Sequence, residues 1–290
     1  MVVLLAFSGC QDSFTDLGEE SRSDRVVSYP LQLGNRWVYE RIAYFHNIRM
    51  NDSSFAIPRD TIRSSITVEV IGYTQLPRQP QTSGDSIAVT VLRLMESEIA
   101  PIPRSLQGFQ YMTQDRIALY LHGYVAAGTP ALPKRNQNPI QFAFHGRTFS
   151  SIQELFFFKA EGPVHPQVDS LVREFPPLTA LQFPLAEGNR WTFRPIGRPW
   201  RIDKQVGSVH PDTAAGKQIS DFDVRWLYDI NGDGMWDDDI RLVDQISNQG
   251  LVRRSIDLTN VGITNTVDPD PVGLADYTEK ITVIELQVAR

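Results

Sequence analysis

The sequence predicts an all-β protein made of two tandem, related antiparallel β-units, each sandwich-like or half-barrel-like, with few or no long helices. Three observations carry that expectation. The phrase YPLQLGNRWVYE (29–40) returns as FPLAEGNRWTFR (183–194). Stretches of period-2 alternation recur after both copies, and alternation of that kind marks half-buried strands. Finally, 19 Pro and 19 Gly are scattered along 290 residues, which leaves little room for uninterrupted helix.

The chain opens MVVLLAFSGCQDS. Residues 2–7 are apolar, Ser8 and Gly9 are small, and Cys10 follows. That is the order of a bacterial lipoprotein signal: an apolar core, a small-residue cleavage point, and a thiol that accepts lipid. The apolar core is short and no Lys or Arg precedes it, so residues 1–9 read as an export signal shortened at its start. QDSFTDLGEESRSDR (11–25) is polar and charged, as a tether should be. Residues 10–25 are therefore expected to be a lipidated cysteine and its linker. No other segment approaches the ~20 apolar residues of a membrane-spanning helix.

The first β-unit is placed at 26–175. In it, Gly34-Asn35 suits the positive φ of a tight turn, and Trp37 and Tyr39, two apart, point to one face of the strand that follows. SSITVEVIGY (64–73) alternates with Ile66, Val68 and Val70 on one face, and GDSIAVTVLRL (84–94) alternates again. Phe109, Tyr111, Phe142 and Phe144 also sit at alternating positions and are expected in the core. Pro-rich insertions enlarge this unit at 99–105, 126–139 and 162–178. SSIQELFFFK (150–159) is the best short candidate for helical period, and its run of rings suggests that Phe157 opens onto a second surface.

The second unit, 176–290, repeats the order. Gly188-Asn189 and Trp191 repeat Gly34-Asn35 and Trp37. RIDKQVGS (201–208) and GKQISDFDVRW (216–226) take the places of 64–73 and 84–94. YTEKITVIELQVA (277–289) closes the chain, with Ile281 and Val283 expected opposite Ile284 and Leu286. Between two of these strands lies DINGDGMWDDD (229–239), the one stretch that spells chemistry. Asp229, Asn231 and Asp233 alternate, Gly234 stands sixth, and the Met235 carbonyl falls where a calcium loop contributes one. Asp237 follows. The twelfth place is Ile240 rather than an acid, so Asp238 or Asp239 must substitute. The flanks are strands, which predicts a calcium-bound hairpin loop with a structural ion rather than a helix–loop–helix hand. Asn231-Gly232 is equally a strong turn signal that needs no metal.

FPLAEGNRW with an aromatic after it, an Ala-Gly turn before a strand, and NQGLVRRSI (248–256) together resemble uncharacterised lipoproteins of Gram-negative bacteria that carry a PLxxGNxWxY motif. The resemblance implies an exported, lipid-anchored β-protein at the cell envelope, on the outer membrane. It implies no chemistry.

Net charge is −6, and no Lys/Arg cluster stands out. Nucleic acid as a partner is therefore not expected, since phosphate binding needs a basic patch. The five histidines, His46, His122, His145, His165 and His210, include no pair at helical metal-ligand spacing, so the sequence alone supports no zinc site. GSVHPDTAAGK (207–217) has Pro211 where a phosphate loop needs its first glycine, and Gly-x-Ser-x-Gly is missing. The expectation is a non-catalytic module, anchored to the membrane through lipid, that binds or scaffolds an envelope protein or polymer. The alternative is an envelope hydrolase acting on glycans through a site assembled from separated loops.

Overall fold

The computed structural model describes residues 28–50, 61–78, 85–98, 105–125, 140–149, 171–195, 200–212, 219–265 and 273–289. Cys10 and the tether, the helix candidate 150–159 with Phe157, His165 and the insertion 126–139 lie outside these residues. Among the described residues every regular element is a strand. In chain order they are β1 (Arg36–Met50), β2 (Ile62–Pro77), β3 (Ser86–Glu98), β4 (Ser105–Gln114), β5 (Ala118–Val125), β6 (Ile140–Phe144) and β7 (Arg147–Phe149). There follow β8 (Val172–Gln182), β9 (Arg190–Arg194), β10 (Arg201–Asp212), β11 (Ile219–Asp229), β12 (Ile240–Ser247), β13 (Gly250–Asn265) and β14 (Gly273–Gln287).

All fourteen belong to one antiparallel sheet in the order β8-β5-β4-β3-β2-β1-β14-β13-β12-β11-β10-β9, with β6 paired to β13 off this path and β7 paired to β6. The two expected units are thus one continuous sheet, joined where β1 pairs with β14 from Arg36↔Gln287 to Met50↔Gly273. The sheet curls until its free ends, β8 and β9, meet through side chains, making a nearly closed barrel. Residue 175, the boundary expected from sequence, falls inside β8, and the Pro-rich stretch up to 178 supplies part of that strand.

The repeated phrase builds the same object twice. Gly34 (φ 87°) and Gly188 (φ 83°) both occupy the left-handed region, which only glycine enters at no cost. The amides of Gly34 and Gly188 donate to the carbonyls of Val70 and Val206. The amides of Val70 and Val206 donate back to Asn35 and Asn189, and the amides of Asn35 and Asn189 close turns on Gln32 and Ala186. Downstream, Val70 pairs with Leu92 as Val206 pairs with Val224, and a bulge follows each valine. The register is repeated along with the turn.

Trp37 is 1% exposed and Trp191 7%. The Trp37 indole donates to the Gln249 carbonyl at 2.7 Å. A Cβ at Gly250, which has φ +104°, would meet Trp37 Nε1 at 3.1 Å and Tyr29 Cζ at 3.3 Å. The phrases GNRW and NQGL are therefore two halves of one contact, which explains why both are spelled out.

Three placements differ from expectation. Phe142 and Phe144 are in the core, but Phe109 and Tyr111 are only half-buried, because Gly108 and Met112 take the inward positions of β4. Leu286 packs on the core beside Ile281 and Val283, whereas Ile284 is 63% exposed. The cause is the register shift that opposes Val38 to Glu285 and Tyr39 to Val283, leaving Ile284 as the extra residue and inverting the alternation.

Candidate functional site

Inward positions of the strands carry charge as well as rings. Arg41 on β1 donates to Glu96 at 3.0 Å and to Glu279 at 2.8 Å. Ser64 donates to the same Glu96 oxygen, and Tyr277 donates to Glu279. Burial and the Glu279 carboxylate hold the Tyr277 phenol well above its ordinary range. A second group lies under β10–β13. Arg254 forks onto Asp244 at 2.6 and 2.8 Å, and the Trp226 indole donates to Asp244 at 2.8 Å. Lys204, 4% exposed, sits 3.7 Å over the Trp226 ring and 4.4 Å over Phe193. Its Nζ donates to the Ala180 carbonyl at 2.9 Å. Burial pushes the Lys204 amine down to about 7, although Asp244 opposes the shift. Arg194 on β9 pairs with Glu174 on β8 at 3.1 Å. The Tyr228 hydroxyl, also inside, has no hydrogen-bond partner among the described residues.

The acidic loop joins β11 to β12, so the sequence's candidate ligands all fall on one hairpin. Its carboxylates are turned onto its own backbone. Asp229, 2% exposed, accepts the Gly232 amide at 2.7 Å and the Gly234 amide at 3.1 Å. The Asn231 side chain accepts the Asp233 amide and donates to Asp233 Oδ2, and Asp233 Oδ1 accepts the Met235 amide at 2.7 Å. Gly232 and Gly234 have φ of 76° and 83°, which lets the chain bend sharply enough to present those amides. Asp237 accepts the Ile230 amide at 2.7 Å. Met235 is 70% exposed, and Asp238 is exposed beside it. The loop as built is a nest of side chain–to–backbone turns, stable by local hydrogen bonding.

A side chain from elsewhere enters this loop. His145 occupies the β6–β7 turn at φ 47°, with Phe144 edge-on to its ring. Its Nε2 lies 2.9 Å from Asp239 Oδ1, and its Nδ1 lies 3.6 Å from Asp237 Oδ1. Burial, with the nearby Asp239 and Asp229 carboxylates, raises Asp237 above the ordinary carboxylate value; the Ile230 amide and His145 oppose that. Sequence reasoning passed over His145 because it sought histidines paired along a helix. The partner here is an aspartate on another hairpin, and no local spacing signals it.

Trp236 leaves the loop to cover the outer face of β9 and β10. Its ring carries the guanidinium groups of Arg190 and Arg201 at 4.5 and 4.8 Å, and both arginines bind Asp203. An open groove of about 400 Å³ runs beside it, lined by Trp236, Asp238, Arg225, Arg241, Leu227 and Val243.

No protein-family model matches the chain, and no curated protein matches it. Among solved structures, the chain matches a Bacteroides fragilis protein described as a "putative exported protein with YmcC-like fold", at 9% identity and a TM-score of 0.30. The match covers 90% of this chain and 99% of that one. A likeness that loose in shape carries no inference for this chain. Among the described residues no helix is long and apolar enough to cross a membrane.

Proposed function

We propose that the protein is an exported, lipid-anchored, non-catalytic module that binds or scaffolds an envelope protein or polymer in the bacterial cell envelope, on the outer membrane. Support for the anchor comes from the order of the N-terminal residues: the apolar run 2–7, then Ser8, Gly9 and Cys10, then the polar linker 11–25. Support for a non-catalytic body comes from how the buried charges are used. Arg41 is taken by Glu96 and Glu279, Arg254 by Asp244, and Arg194 by Glu174. Each pair ties one strand to another, and such closed pairs serve to hold a sheet in register. In this reading the acidic loop takes calcium as a structural pin. Asp229, Asn231, Asp233, Asp237 and the Met235 carbonyl would be its ligands, with Asp238 or Asp239 standing in for the acid absent at Ile240. An ion there would relieve the mutual repulsion of carboxylates crowded into one loop.

The anchor is tested by replacing Cys10→Ser and fractionating cells: the variant is expected in the soluble fraction, and retention with membranes rejects the lipid. The calcium pin is tested by melting the protein in ~10 mM calcium against chelator. Weak sites of extracellular type bind at roughly 0.1–1 mM, so a rise of about 2–8 °C is expected. A shift below a degree rejects the ion.

A further inference from the structure

We infer that His145, Asp237 and Asp239 form a binding site for a divalent transition-metal ion of the zinc type, which shares Asp237 and Asp239 with the proposed calcium loop and differs from it by the imidazole ligand. One ring nitrogen and one oxygen from each carboxylate lie within 4.8 Å of one another. Zinc bonds to nitrogen and oxygen run about 2.0–2.2 Å, so tetrahedral ligand atoms stand roughly 3.3–3.6 Å apart. The observed contacts run from different ring nitrogens, Nε2 to Asp239 at 2.9 Å and Nδ1 to Asp237 at 3.6 Å, so an ion held through one nitrogen draws the other carboxylate across by a side-chain rotation.

The ligand set selects the metal. An imidazole nitrogen suits zinc and its first-row neighbours, whereas calcium takes oxygen. The carboxylates bring two negative charges against at most one positive charge on the ring, so a dication completes the balance. Burial favours the same outcome: the side chains of Asp237, His145 and Asp239 are 6%, 21% and 31% exposed, which limits competition from water.

The ligands are also held before any ion arrives. Asp237 Oδ2 is fixed by the Ile230 amide, and the Asp237 amide itself donates to the Tyr228 carbonyl, so the other carboxylate oxygen is aimed at His145. The Asp239 carbonyl accepts the Thr259 amide, which fixes that residue to β13. His145 is held in the left-handed region by a two-residue turn with Gly146, and β6 pairs with β13 from Ile140↔Asn265 to Ala143↔Gly262. Three protein ligands leave a coordination position for water. The ion would fasten the β6–β7 hairpin, which stands off the main path of the sheet, to the β11–β12 loop.

The test is metal binding by the full chain, stripped with chelator and titrated with zinc, cobalt or calcium. The wild type is expected to melt at least about 3 °C higher with micromolar zinc than in chelator, and to give a visible ligand-field absorption with cobalt. His145→Asn keeps a residue that tolerates positive φ, and Asp239→Asn keeps shape. Each is expected to lower zinc affinity at least tenfold and to abolish the cobalt band, while melting within about 2 °C of wild type in chelator. Asp233→Asn, in the calcium loop alone, is expected to leave zinc and cobalt binding unchanged. If zinc fails to raise the wild-type melting temperature, the proposal is overturned. It is equally overturned if His145→Asn binds zinc like wild type, or if calcium gives the shift and loses it on His145→Asn. A null result with calcium leaves the zinc measurement intact, so the two sites fail separately.

Discussion

The barrel has two seams that the repeat makes equivalent, and it closes them by different means. At the first, β1 of one unit runs against β14 of the other in a full ladder. At the second, β9 comes beside β8, but among the described residues the contact is made by side chains: the Trp191 indole to the Thr179 carbonyl, Lys204 to the Ala180 carbonyl, and Arg194 to Glu174. The difference reaches the turn residues. Asn35 is wholly buried and bonded to Pro30, Gln32 and the Ala289 amide, whereas among the described residues the Asn189 side chain bonds only Pro184, and it stays exposed. One copy of the motif has become a clasp for the chain's end, and the other is a plain turn. A duplicated phrase fixes a local bend, while its energetic weight comes from what the rest of the fold lays over it.

The largest expected effect is at the zipped seam. Arg41→Met leaves Glu96 and Glu279 buried without their counter-charge and is expected to cost about 3–5 kcal/mol in urea denaturation at pH 7. Lys204→Met at the other seam removes a desolvated amine held by one carbonyl and is expected to leave stability at pH 7 unchanged or to raise it, because burial already disfavours the charged amine. If the lysine variant loses more than the arginine variant, the ranking of the seams is wrong.

Lys204 also makes stability depend on pH. Its folded value, about 7, lies below its ordinary 10.5. Between these values the unfolded chain holds the proton and the folded chain does not, so stability rises with pH. Below 7 both states are protonated and the burial penalty is constant. From pH 7 to 9 the gain is expected to be roughly 2 kcal/mol, absent in Lys204→Met. Tyr29, raised to about 12, acts oppositely and only above pH 10. A flat profile across 7–9 removes the desolvated lysine from the account.

The two turns sharpen the comparison most. Asn35→Ala removes a wholly buried side chain with three hydrogen bonds, one of them to the buried Pro30 carbonyl, and is expected to cost about 1–3 kcal/mol, while Asn189→Ala costs a few tenths. Equal losses mean that the two turns carry equal load despite their different surroundings.

Much of this architecture was legible in the sequence because it is local. Glycine at positive φ, an indole two residues on, and alternation in 64–73, 84–94 and 216–226 each leave a short-range signature. The pairing of β1 with β14 leaves none, since Arg36 and Gln287 meet only when both units have formed. Arg41 and Lys204 occupy inward positions that alternation alone assigns to apolar residues, and their partners lie on other strands. The bulge at Ile284 shows the same limit: one extra residue inverts a face, and only the opposing strand records where. His145 is the clearest case, because its turn and the acidic loop are brought together by β13, which pairs with β12 up to Leu258 and with β6 from Gly262 along the same edge and comes after both in the chain.

The ladder between β1 and β14 has a directional consequence. Residues 36 and 287 share one rim, while the acidic hairpin follows Asp229 at the other, level with Leu258 and Tyr277 rather than with the turn at Gly250. The start of β1 and the end of β14 are therefore held side by side, and whatever meets that rim is kept a barrel's length away from the acidic hairpin.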